Sequence, residues 1–224
     1  MKFTTQPPGA AIRTISETIV ASLQLNKPVL WLTSGGSAIN AQIAVLDQVR
    51  SATPDSMQFL TIIPVDERYG PLSHKDSNTE QMRQAGFDPG SASWIDVLAN
   101  NQPMAETVSD YARLAQNAFA EADVVIATLG IGPDGHTAGL LPGSPALTDT
   151  VSTAIGYGWD DYERLTLGVP LLTKIDHAFV LAYGVHKQAA LERLAQNSEP
   201  TESLPAKILY DIADVTVYND YINT

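Results

Sequence analysis

The sequence predicts a doubly wound α/β fold, in which a parallel sheet is covered by helices on both faces. Two observations predict it. Runs of strand length such as Val29-Leu30-Trp31-Leu32 and Asp123 to Leu129 are apolar on consecutive residues, so neither face can be given to water. Between such runs lie segments with apolar residues at helical spacing, and strands that alternate with helices pair in parallel. Composition agrees. Apolar residues are 44% of 224, enough for a sizeable core. No repeat, low-complexity tract or linker interrupts the chain, and a single domain over residues 1–224 is expected.

The elements follow in order. Ile12, Ile15, Ile19 and Leu23 share one helical face, and Pro28 introduces the strand at Val29. Ile39, Ile43, Leu46 and Val49 mark a second helix, and Phe59 to Ile63 a buried strand. The polar, turn-rich stretch from Tyr69 to Asn78 reads as a loop. Val108, Tyr111, Ala115 and Phe119 suit a helix before the strand that ends at Leu129. A short strand at Leu165 to Leu167, a longer one at Ala178 to Tyr183, a helix at Lys187 to Ala195 and a strand at Val215 to Val217 complete the pattern.

Charge and composition remove several function classes. The net charge is −12, from 13 Lys and Arg against 25 Asp and Glu, and no basic run occurs. Nucleic acid and anionic membrane surfaces are therefore not expected partners. There is no cysteine, so thiolate metal sites and cysteine nucleophiles are excluded. The four histidines lack the HExxH spacing, and no obligatory metal is expected. No G-x-S-x-G elbow is present. With neither a signal-like segment nor a membrane-length apolar run, the expected location is the cytoplasm. A monomer is the expected state.

Ligands of open parallel sheets bind beyond the carboxyl ends of strands, and three such ends carry polar cargo. The first is Thr33-Ser34-Gly35-Gly36-Ser37, whose glycines and following helix suit an anion such as phosphate; an ordinary glycine turn capped by Ser37 is the competing reading. The second is Asp66-Glu67-Arg68, with carboxylates for base or orienting duty and a guanidinium for phosphate. A solvated charge cluster is its alternative. The third is Gly130 to Gly143, where glycines and prolines surround Asp134 and His136 directly after a buried strand. Histidine is the side chain whose ordinary pKa, about 6.5, is nearest neutrality. His74 reads as solvated and His177 as a turn or capping residue. Lys187, beside His186 at another strand end, is either structural or an anion ligand.

Taken together these segments resemble the 6-phosphogluconolactonase family, which shares a fold group with glucosamine-6-phosphate deaminases and isomerases. Ser34-Gly35-Gly36-Ser37 is similar to its SGGS motif, Asp66-Glu67-Arg68 with Ser77-Asn78 to its DER and SN, and Gly130 to Pro142 to its LGxGxDGHxxSLFP signature. Arg164 to Leu167, Gly184-x-x-Lys187 and Leu204-Pro205-Ala206 resemble its RITL, GxxK and LPA segments. The resemblance implies a modified doubly wound, Rossmann-like fold with a mostly parallel sheet. It also implies no organic cofactor, a place in the oxidative pentose phosphate pathway, and a phosphorylated sugar lactone, 6-phospho-D-glucono-1,5-lactone, as substrate. His136 would be the general base, with Asp134 or Asp66 orienting it or a substrate hydroxyl, and loop amides would stabilise the oxyanion. Ser34, Gly35, Gly36 and Ser37 would hold phosphate with Arg68 and Lys187; Arg164 is either a further contact or structural. Deaminases usually carry Tyr after Asp-Glu and a Glu soon after DGH, where this chain has Arg68 and Leu140-Leu141-Pro142-Gly143. A deaminase or isomerase using Asp66 as base, and a non-catalytic sugar-phosphate sensor, are the alternatives. Two positions depart from the family pattern: Ala38-Ile39 stands for Thr-Pro, and Gly139 for Ser.

Overall fold

The computed structural model describes residues 1–224. Strand β1 (Lys2–Thr4) is followed by helix α1 (Pro8–Leu23), β2 (Val29–Thr33), α2 (Ile39–Ala52) and β3 (Leu60–Pro64). Next come β4 (Asp66–Tyr69), α3 (Asn78–Gln84), β5 (Ser93–Trp94), α4 (Met104–Glu121) and β6 (Val124–Leu129). The last third holds α5 (Pro145–Thr148), β7 (Ala154–Trp159), β8 (Tyr162–Leu167), α6 (Val169–Leu172), β9 (His177–Ala182), α7 (Gln188–Gln196) and β10 (Asp214–Asn219).

Seven strands form one parallel sheet in the order β1-β10-β9-β6-β2-β3-β5. Every residue of β2 is buried, and its side chains alternate between the two faces. Val29 and Trp31, with Ile62 and Ile126, pack against Ile15 and Ile19 of α1 and Val45 and Val49 of α2. Leu30 and Leu32, with Ile63, Val125 and Ala127, pack against Tyr111 and Ala115 of α4 and Leu191 of α7. A strand apolar at consecutive positions therefore serves two cores. Pro8 opens α1 at the first helical position, where its missing N–H costs no bond and its fixed φ suits a helix.

A second, antiparallel sheet has the order β4-β8-β7. Val65 joins the two sheets: its N–H donates to Thr33 O of β2 at 2.8 Å, and its carbonyl accepts from Leu167 N–H of β8 at 3.0 Å. Here the structure departs from the run-by-run reading. Asp66-Glu67-Arg68 is itself a strand, and the short strand expected at Leu165 extends from Tyr162 and belongs to the second sheet. The ends of the expected Tyr69–Asn78 loop belong to β4 and α3. Strands β1, β5 and β7 and helix α3 had no apolar run to announce them: β1 and β5 have three and two residues, and β7 carries Gly156 and Gly158. No helix is long and apolar enough to cross a membrane.

From β2 the chain winds outward through β3 to β5, while β6, β9, β10 and β1 lie on the other side. The order reverses between β2 and β6, so the loops leaving these two strands diverge and open a crevice at their carboxyl ends.

Candidate active site

A cleft of about 230 Å³ occupies that crevice. It is lined by the β2 loop (Ser34 to Ser37), by Gly130 to Gly132, His136, Ala138 and Gly139 of the β6 loop, and by Asp66, Arg68, Asn78, Arg164 and Lys187. Only two of its fifteen residues are hydrophobic. Such a lining suits a polar ligand whose groups are recognised by hydrogen bonds and charge.

The β2 loop is fixed from beneath. Gln42 of α2, fully buried, accepts from Ser34 N–H at 2.9 Å and donates to Ser34 O at 2.6 Å. Ser34 Oγ donates to Thr128 O of β6 at 2.9 Å, so the hydroxyl serves the loop instead of a ligand. The N–H groups of Gly35, Gly36 and Ser37 have no acceptor in the chain. Lys187, at the entrance to α7, reaches across to donate to Ser37 Oγ at 3.1 Å. It is buried without a carboxylate partner, and burial lowers the pKa of its ammonium. An anion here would relieve both deficits.

Strand alternation explains the β4 segment. Asp66 and Arg68 face the cleft, while Glu67 points the other way and is completely buried. One Glu67 oxygen accepts from the N–H groups of Arg68 and Asn78, each at 2.6 Å. The other accepts from Ser77 Oγ at 3.1 Å and Thr79 N–H at 2.9 Å. Burial raises the Glu67 pKa, and these bonds oppose the rise. Glu67 thus ties β4 to the start of α3 and sets Asn78, whose Nδ2 donates to Asp66 O at 3.0 Å.

Arg68 and Arg164 are direct cross-strand partners in the β4–β8 pair. Like charges opposite one another destabilise a sheet, and neither guanidinium forms a salt bridge. The Nε of each is buried without a partner. Both lie over the ring of Tyr162, at 4.5 Å and 5.4 Å from its centroid. Burial, and next the neighbouring Arg68, lower the Arg164 pKa. Desolvation raises that of Asp66, against the pull of Arg68, His136 and Arg164. Asp66 is the only acidic side chain in the cleft wall.

In the β6 loop, His136 Nδ1 lies 2.6 Å from Asp134 Oδ1, which also accepts from His136 N–H at 3.2 Å. Partial desolvation raises the Asp134 pKa, but the bonds and charge of His136 outweigh it and the net shift is downward. Gly132 makes room for the imidazole: a Cβ there would stand 2.1 Å from His136 Cε1. The loop is braced by Gly132 N–H to His136 O at 2.9 Å, Thr137 Oγ1 to Gly130 O at 2.8 Å, and Ala206 N–H to Gly135 O at 2.9 Å.

The cleft thus gathers Ser34, Gly35, Gly36, Ser37, Asp66, Arg68, His136 and Lys187 from four distant segments, together with Arg164. Asp134 stands behind His136, outside the lining. His74 is more than a solvated residue, because its Nε2 donates to Arg68 O at 2.9 Å. His177 pairs with Asp214 at 2.9 Å across the first residues of β9 and β10, at the sheet end away from the cleft. Gln42, Tyr157 and Tyr162 were not singled out from the sequence, and Thr166 was read only as part of the Arg164 to Leu167 segment. Glu67, read as a carboxylate for base or orienting duty, is instead buried away from the cleft. The period-two pattern Tyr162-x-Arg164-x-Thr166 is the signal that puts Tyr162 and Thr166 on one face with Arg164. No group of three or more His, Asp or Glu side chains converges as a metal-ligand set.

Residues 8–218 match the model of a family described as glucosamine-6-phosphate isomerases/6-phosphogluconolactonase. The chain is 30% identical over 186 residues to the 6-phosphogluconolactonase of Rattus norvegicus, covering 79% of this chain and 71% of that protein. It is 31% identical over 159 residues to the 6-phosphogluconolactonase of Synechocystis sp., covering 64% and 63%. Among solved structures, a monomeric glucosamine-6-phosphate deaminase matches with a TM-score of 0.78 over 98% of this chain and 97% of that one, at 20% identity, a likeness of fold. With most of its length matched and the family's motifs gathered in one cleft, the chain belongs to the glucosamine-6-phosphate isomerase/6-phosphogluconolactonase family.

Proposed function

We propose that the chain hydrolyses 6-phospho-D-glucono-1,5-lactone to 6-phospho-D-gluconate. The observation that carries this reading is the Asp134–His136 pair at the rim of a cleft whose cations lack carboxylate partners. Asp134 engages Nδ1. Nδ1 therefore carries the proton, and Nε2 is left as the acceptor. His136 Nε2 takes a proton from a water while the water oxygen attacks the lactone carbonyl carbon. The carbonyl electron pair moves to oxygen. Collapse of the adduct breaks the ring C–O bond, and the leaving oxygen takes the proton back from the imidazolium. A positioned base of this kind contributes about 10²–10⁴-fold.

The phosphate is assigned to the free amides of Gly35, Gly36 and Ser37, with Lys187, Arg68 and Arg164 supplying charge. These groups offset the field of a chain with net charge −12, which repels anions at long range. Asp66, held toward its protonated form, suits a hydrogen bond to a sugar hydroxyl. The wall offers no second carboxylate for the acid–base work of a deaminase. All these groups come from one chain, so a monomer suffices.

The test is hydrolysis of freshly generated lactone, coupled to 6-phosphogluconate dehydrogenase and corrected for spontaneous opening. Acceleration that disappears in His136→Ala is expected. No acceleration by the folded protein, with ammonia released from glucosamine 6-phosphate instead, would overturn the reading.

A further inference from the structure

The β6 loop ends in a tight reversal whose details exceed what a connection needs. Thr137 and Leu140 close it, with Leu140 N–H to Thr137 O at 2.7 Å and the return bond at 3.3 Å. Both central residues have positive φ, +50° at Ala138 and +69° at Gly139. This is the pattern of a type I′ turn, adopted here with a non-glycine residue at its first central position, a conformation L-residues seldom take.

Both central carbonyls are held from the second sheet. Thr166 Oγ1, fully buried, donates to Ala138 O at 2.5 Å, and the Tyr157 hydroxyl donates to Gly139 O. Burial pushes the Tyr157 pKa up to about 12, so that hydroxyl remains a donor. A trans peptide directs its N–H opposite to its C=O. Pinning the Ala138 carbonyl on Thr166 therefore aims the Gly139 N–H away from the second sheet. In a turn whose two central residues share one helical sense, the Ala138 N–H runs alongside it. Neither N–H has an acceptor in the chain, although both residues are buried and line the cleft. Buried backbone donors are nearly always paired, so this pair awaits a ligand acceptor. The base His136 lies two residues before Ala138.

We infer that the Ala138 and Gly139 amides are the oxyanion donors of the reaction, and that Thr166 and Tyr157 are the positioning residues that aim them. The inference rests on the lactonase reading, which wild-type hydrolysis tests separately. When water adds to the lactone carbonyl, the new negative charge falls on an oxygen that these preorganised amides bond more strongly than the neutral carbonyl. The gain is confined to the transition state.

Thr166→Val keeps the shape of the side chain and removes the hydroxyl that holds Ala138 O; Thr166→Ser keeps the hydroxyl. In the coupled assay, Thr166→Val is expected to lower kcat about 10–10²-fold with KM within about twofold, and Thr166→Ser to stay near wild type. Tyr157→Phe is expected to lower kcat similarly, so the inference does not depend on one variant folding. A readout independent of turnover is the Gly139 amide in ¹⁵N-glycine-labelled wild-type protein. On addition of 6-phosphogluconate, whose carboxylate derives from the lactone carbonyl, its proton signal should move downfield. Wild-type hydrolysis with kcat unchanged in folded Thr166→Val and Tyr157→Phe, or a Gly139 signal unmoved by saturating 6-phosphogluconate, would overturn the inference and leave the lactonase reading standing.

Discussion

Gly139→Ser restores the residue that the family motif carries at this place, and the structure predicts that it damages the protein. At φ +69° an L-residue meets its own backbone, at a cost of about 1–2 kcal/mol. The added Cβ would stand 2.7 Å from Asp66 Cβ and 3.1 Å from Thr166 Cβ. These are stiff, β-sheet-borne atoms on the paired positions of β4 and β8. The turn cannot yield easily, because its carbonyls are held by Thr166 and Tyr157. Overpacking of this kind costs about 1–3 kcal/mol. The sum, about 2–5 kcal/mol, corresponds to a Tm lowered by roughly 4–20 °C in a chain of this size. Differential scanning calorimetry reads the Tm, and the coupled lactone assay reads kcat, which falls with it because Asp66 and the turn shift together. Gly139→Ala separates the causes: if strain and crowding are responsible, it is as harmful as serine. A serine variant with unchanged Tm and kcat would refute the reasoning, and so would one harmful as alanine but harmless as serine.

Three further outcomes follow from the same geometry. Asp134→Asn removes the charge that fixes the His136 tautomer and should lower kcat with KM unchanged. Side-chain exposures of 40% and 46% leave that pair screened by water, so a loss of about 10–10²-fold is expected in place of the larger losses of buried pairs. Asp66→Asn should lower activity yet stabilise the fold at neutral pH by about 0.5–2 kcal/mol, a trade common at functional sites. The sign follows from a raised folded-state pKa: the native protein binds the Asp66 proton more tightly than the unfolded chain, so wild-type stability gains as pH falls. Urea titrations should therefore show the gap between variant and wild type closing from neutral toward acid pH, and a constant gap would contradict the assignment. Tyr162→Leu removes the ring under Arg68 and Arg164, two contacts worth about 0.5–1 kcal/mol each. KM should rise about 5–30-fold with kcat nearly unchanged, and Tyr162→Phe should remain near wild type; equal KM values for the leucine variant would remove the ring from the account.

The main sheet was legible because burial on both faces leaves a plain signature. β2 and β6 are apolar at consecutive positions, and each is bounded by turn formers. The expectation of a parallel sheet between helices rested on them. The second sheet was not legible in the same way. β4 reads Asp-Glu-Arg-Tyr, a string that on composition alone describes a solvated loop as well as a strand. What makes it a strand is tertiary: Val65 hands it from β2 to β8, and Glu67 finds four donors in its own segment and at the start of α3, far beyond any local propensity. The same holds for the site. His136, Asp66, Arg68, Lys187 and the glycine loops could be named from strand ends and motif order. Which aspartate stands against His136 required coordinates, since both Asp134 and Asp66 lie in the right segments and only Asp134 reaches Nδ1.

The departure at Gly139 connects these levels. Read as sequence, replacing serine by glycine looks like the loss of a hydroxyl from the site. In the fold, that residue sits at positive φ over the Asp66–Thr166 pair, with no room for a Cβ, while hydroxyls from Thr166 and Tyr157 hold the two turn carbonyls. The turn's anchorage is thus carried by the second sheet, the part of the fold with the weakest sequence signal. Arg68, Arg164 and Asp66 project from that same sheet. A change in β8 that shifts its register by one residue would turn Arg164 and Thr166 away from the cleft together. Two of the cleft's features, the Arg164 cation and the hydroxyl that anchors the turn, would then be lost as one unit, while the seven-stranded sheet remained intact.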